Sequence, residues 1–135
     1  MSQMPKVLVI DDDADLVSSV RVVMEGAGWK VSSAVNGAIG IESARSETPD
    51  LIILDVLMPR QDGLTTYEQL RADPALSAVP IIVLTSVSQK LGIGFSEEEF
   101  KTHYGHGPEA FLEKPFEPKK FLDTVKRLHK PPSAG

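Results

Sequence analysis

Residues 51–63 read LIILDVLMPRQDG. Leu51 to Leu54 form an apolar run with no polar alternation, and the run ends in one carboxylate, Asp55. Such a run predicts a strand buried on both faces, as in a parallel sheet covered by helices. Asp55 then stands at the carboxyl end of a central strand, where open α/β sheets place their chemistry. Pro59 and the pair Asp62-Gly63 follow, which predicts a turn-rich exit loop. By itself, Asp55 is equally explained as a residue that merely closes a strand.

Working outward, the pattern repeats. Lys6 to Ile10 (KVLVI) is a second apolar run, and it ends in Asp11, Asp12 and Asp13. Leu16, Val17, Val20, Val23, Met24 and Ala27 recur at helical spacing, with Asp13 as the expected N-cap and Gly28 as the stop. Residues 29–35 predict a weaker strand closed by Asn36-Gly37, and residues 38–46 a short helix with Ile41 and Ala44 inward, ending before Pro49. Leu64, Tyr67 and Leu70 mark a third helix, stopped at Asp73-Pro74. Residues 80–84 (PIIVL) predict a strand running into Thr85-Ser86, and residues 110–113 (AFLE) another running into Lys114-Pro115. Pro118 opens a last helix with Phe121, Leu122, Val125 and Leu128 inward. Strand and helix alternate throughout, so the expected class is α/β: a doubly wound, five-stranded parallel sheet with helices on both faces, (βα)5.

Composition narrows the function. The 135 residues carry a formal net charge of −5, which gives no electrostatic footprint for direct nucleic-acid binding. There is no cysteine, so disulfides, thiol catalysis and cysteine-zinc sites are excluded. No apolar run has membrane-spanning length and Met1 to Lys6 lacks the apolar core of a signal peptide, so a cytoplasmic location is expected. The expected organisation is one domain over residues 1–129 and a short tail, residues 130–135.

In a parallel sheet the ends marked by Asp11/Asp12, Asp55, Thr85 and Lys114 fall on one edge. Converging carboxylates repel: a pair at ~4 Å costs about 1 kcal/mol in water and about 4 kcal/mol at an effective dielectric near 20. Three of them on one rim point to a bound cation. Oxygen ligands without His or Cys favour Mg²⁺, or Mn²⁺, over zinc.

These motifs in combination resemble the receiver domain of two-component response regulators: VLVIDD at the first strand, LIILD-x-x-MP-x-x-DG at the third, IIVLTS at the fourth and FLEKPF at the fifth. The likeness covers roughly residues 5–129. It implies the flavodoxin-like receiver topology and a phosphoacceptor role for Asp55. Asp11 and Asp12 match the acidic pair that holds Mg²⁺, Asp12 more directly, and the backbone carbonyl of Leu57 is implied as a further ligand. Thr85 matches the hydroxyl that bonds the phosphoryl oxygen, and Lys114 the lysine that pairs with Asp55 and then with the phosphoryl group. Phe111 stands at the switch aromatic, and the Lys114-Pro115 bond is expected to be cis. The implied partners are a sensor histidine kinase or phosphotransfer protein and a downstream protein target. With nothing resembling an output domain after residue 129, a stand-alone switch that signals by protein contact or onward phosphotransfer is expected. It is not expected to be an enzyme beyond catalysing its own aspartyl phosphorylation and dephosphorylation. Leu57 and Val87 match the positions that flank the path of the hydrolytic water, and as apolar residues they imply slow phosphate loss.

One region departs from the family pattern. Residues 86–95 (SVSQKLGIGF) are a poor helix pattern, and the stretch from Thr85 to Lys114 is several residues longer than usual. Ser96 and Glu99 read as a capping box for a short helix with Phe100 and Tyr104 on one face. This predicts either an altered partner surface or a passive insertion. His103 and His106 offer only two metal ligands there. Two other functions compete. Haloacid-dehalogenase-type phosphatases also use Asp-x-Asp after a first strand, a Thr and a Lys, but Asp11-x-Asp13 would leave Asp55 without a role. A phosphorylation-independent pseudo-receiver would not need the acidic residues, Thr85 and Lys114 together.

Overall fold

The computed structural model of the chain describes residues 4–55, 62–86, 110–114 and 117–128. The apolar runs become strands and the periodic segments become helices. In chain order these are β1 (Lys6–Ile10), α1 (Ala14–Gly26), β2 (Lys30–Ala34), α2 (Gly37–Glu47), β3 (Leu51–Asp55), α3 (Asp62–Ala72), β4 (Ile81–Ser86), β5 (Ala110–Lys114) and α4 (Pro118–Leu128). The five strands form one sheet in the order β2-β1-β3-β4-β5, with every pairing parallel.

The alternation of side chains along each strand divides the core in two. Leu8, Ile10, Ile52, Leu54, Ile81 and Val83 share one cluster with Ile41, Ala44, Tyr67 and Leu70 from α2 and α3. Val7, Val9, Leu51, Ile53, Ile82 and Leu84 share the other with Val20, Met24, Phe121 and Val125 from α1 and α4. Leu51 to Leu54 are fully buried, which explains why this strand shows no polar alternation. Each such side chain contributes about 1.5–3 kcal/mol by leaving water. Arg71 fixes the link from α3 to β4. Its guanidinium donates to the carbonyls of Ser77 and Val79, at 3.0 Å each, and to the Tyr67 hydroxyl at 3.2 Å.

Local signals act largely as the sequence predicts. The Asp13 side chain caps α1, accepting the N–H groups of Asp15 (3.0 Å) and Leu16 (3.2 Å). Gly28, at φ +94°, reverses the chain after α1, and Trp29 N–H closes the turn on the Met24 carbonyl. The Asn36 side chain caps α2 through Ile39 N–H. Three details differ. Asp62-Gly63 lies within the first turn of α3 and is not a separate turn. β4 starts at Ile81 and runs on through Thr85 and Ser86, because β5 extends its pairing to those positions. Thr124, unforeseen as a core residue, is buried on α4; its hydroxyl donates to the Lys120 carbonyl at 3.0 Å. The expected helix after Ser96, the histidines at 103 and 106 and the Lys114-Pro115 bond all lie outside the described residues.

Candidate functional site

The sheet order reverses at β1, which has β2 on one side and β3 on the other. Successive α/β units leave from opposite faces there, opening a crevice beyond the strand ends. The strand register brings Ile10 opposite Leu54, so the next residues, Asp11 and Asp55, leave their strands side by side. Asp55 is opposite Leu84, and Thr85 follows one step further along the same edge. Ser86 is opposite Lys114, which completes the row. The backbones of Thr85 and Lys114 thus reach the rim that carries the carboxylates. Phe111, opposite Val83, lies deeper in β5. Leu57 and Val87 lie outside the described residues.

Asp11, Asp12 and Asp55 each bring a carboxylate oxygen within 4.8 Å of the other two. Asp11 and Asp55 are 1% and 3% exposed, while Asp12 is exposed, so the cluster opens to solvent on the Asp12 side. The loop after β1 is held by the first aspartate itself. Asp11 N–H donates to the Ala34 carbonyl at 3.0 Å, continuing the β1–β2 pairing, and an Asp11 carboxylate oxygen accepts Asp13 N–H at 2.9 Å. The acidic triplet therefore divides its labour, with Asp11 and Asp12 on the rim and Asp13 on the helix.

Three converging carboxylates, two of them buried, match a hard divalent cation with oxygen ligands. Among the described residues the cluster includes neither the imidazole nor the thiolate that would favour a softer metal. Sequence reasoning found these three residues. It missed Gly40, which governs how closely α2 approaches β1. The available signal was a glycine inside a helical pattern.

Comparison with known proteins agrees with the fold. The chain matches the response regulator receiver domain over residues 7–126, and it belongs to that family. It is 34% identical to the DNA-binding dual master transcriptional regulator RpaA of Synechocystis over 125 residues, which cover 93% of this chain and 49% of RpaA. It is 29% identical to PilH of Pseudomonas aeruginosa over 122 residues, covering 90% of this chain and 95% of PilH. The chain thus spans about half the length of RpaA and nearly all of PilH. The chemotaxis response regulator CheY4 of Vibrio cholerae superposes with a TM-score of 0.79 at 30% identity, over 94% of this chain and 100% of CheY4. At the level of the family the chain is a phosphoacceptor signalling module, and nothing among these relatives favours a phosphatase or a pseudo-receiver.

Proposed function

We propose that Asp55 is the phosphoacceptor of a magnesium-dependent switch served by a sensor histidine kinase or a phosphotransfer protein. The observation that carries this reading is the convergence of three carboxylates within 4.8 Å at the ends of β1 and β3, with Asp55 itself almost sealed. In the reaction, an Asp55 carboxylate oxygen attacks the phosphorus of a phosphohistidine. The O–P bond forms, the P–N bond breaks, and its electron pair returns to the imidazole. Phosphoryl transfer of this kind asks for positioning and charge neutralisation more than covalent help.

Asp11, Asp12 and Asp55, with the backbone carbonyl of Leu57, are the proposed metal ligands. Mg²⁺ bound there would offset the repulsion between the attacking carboxylate and the incoming anion. The rim positions of Thr85 and Lys114 suit the family roles of holding phosphoryl oxygens, the hydroxyl by hydrogen bond and the ammonium by charge. Thr85 and Phe111 are the proposed switch pair, through which the new charge on Asp55 biases the β4–β5 side of the sheet. Output through a protein target fits the formal net charge of −5 better than direct nucleic-acid contact. A receiver domain over residues 1–129 working in the cytoplasm is part of the same proposal. No helix among the described residues is long and apolar enough to cross a membrane. Incubation with acetyl phosphate and Mg²⁺ should add one phosphoryl group, and Asp55→Asn should abolish the gain in intact mass. Labelling of the variant at the parent level would move the acceptor elsewhere.

A further inference from the structure

Helix α2 lies against β1 more closely than a side chain at the contact would allow. A Cβ placed on Gly40 would fall 2.6 Å from Ile10 Cδ1, 2.8 Å from Cγ1 and 3.1 Å from Cγ2. Rotation about χ2 moves only Cδ1, and rotation about χ1 merely changes which γ carbons face the helix. A fully buried, branched side chain in a close-packed core cannot swing clear by either route. With any residue larger than glycine, the Ile10 side chain, the helix or the end of β1 must shift.

The helix is capped by the residue before it and linked to the end of α3 by one surface ion pair. The Asn36 side chain accepts Ile39 N–H at 2.9 Å, and Arg45 Nε donates to Asp73 at 2.7 Å beyond the end of α3. Ile41 and Ala44 are buried between these two contacts. They hold α2 in the core, so part of any displacement falls on Ile10, and Ile10 is followed directly by Asp11. Glycine is a poor choice inside a helix, and the contact with Ile10 supplies the packing reason for it here.

We propose that Gly40 is a positioning residue for the acidic rim: the missing Cβ lets Ile10 sit at the depth that brings the Asp11 and Asp12 carboxylates to Asp55. This rests on the reading of those carboxylates as metal ligands, and its test separates the two. Gly40→Ala should shift the backbone amide resonances of Asp11, Asp12 and Asp13 in metal-free protein. It should also weaken Mg²⁺ binding in calorimetric titration about tenfold, the lower end of what disturbing the support of metal ligands costs. Ile10→Val/Gly40→Ala removes Cδ1, the atom at 2.6 Å, and with it the closest of the three contacts, so both quantities should return part of the way towards the parent. If Gly40→Ala does not fold, Ile10→Val/Gly40→Ala compared with Ile10→Val carries the same contrast, with smaller shifts in the same direction. A lowered urea midpoint with unmoved Asp11–Asp13 resonances and unchanged Mg²⁺ affinity would overturn the proposal. Absence of Mg²⁺ binding by the parent would sink the metal reading, while the metal-free resonances still decide the role of Gly40.

Discussion

Removing the exposed carboxylate of the rim should make the metal-free protein more stable. Asp12 faces two other carboxylates, each with an oxygen within 4.8 Å. At that separation a pair of unit charges repels by about 0.9 kcal/mol in water and about 3.5 kcal/mol at an effective dielectric near 20. Two pairs bracket the relief between about 2 and about 7 kcal/mol before any discount. Solvent reaches the cluster on the Asp12 side, and salt screens the exposed charge. Asp12→Ala should therefore gain about 1–3 kcal/mol in EDTA at neutral pH, read from urea melts with an unchanged slope. The order should reverse as Mg²⁺ is added. A cation that binds only the folded parent adds ~1.4 kcal/mol for every tenfold excess over its dissociation constant, and the variant has lost a ligand. A metal-free variant that melts at lower urea than the parent would refute the crowding argument. Equal Mg²⁺ stabilisation of the two proteins would refute the assignment of Asp12 as a ligand.

Two further outcomes follow from local features. Thr48 ends α2 at φ 49°, a left-handed conformation that a β-branched residue before a proline rarely adopts. Thr48→Gly should raise stability by ~1 kcal/mol, and a drop in the melting temperature would show that the conformation is not strained. Asp73 is held below the usual carboxylate range, first by the Arg45 side chain and then by Ala75 N–H. A carboxylate with a depressed value in the folded state adds stability above its unfolded value near ~3.9, and loses that stability as pH falls through the lower folded value. Arg45→Ala should therefore be less stable than the parent at about pH 6, and the gap should narrow towards about pH 3. A gap that stays constant across that range would show that the pair acts by packing alone.

Much of the fold was legible because its signals are local. Unbroken apolar runs such as Leu51–Leu54 announced buried parallel strands, and Asp13 and Gly28 marked the boundaries of α1 by chemistry that acts within a few residues. The rim was legible for a related reason. A parallel sheet puts the carboxyl ends of its strands on one edge, so Asp11, Asp12 and Asp55 were expected on one rim, and the pairing of β1 with β3 brings them within 4.8 Å. What the chain order alone could not decide was packing across elements. The contact between Gly40 and Ile10 joins residues on different elements, and its tightness depends on how the buried face of α2 packs on the sheet. The two bonds by which Arg71 holds the turn into β4 are likewise invisible to periodicity, and the burial of Thr124 on α4 was masked by its polarity rather than by its spacing from Phe121. Hydrophobic pattern specifies which face turns inward, but distances across a close-packed core are settled only when all the elements are in place together.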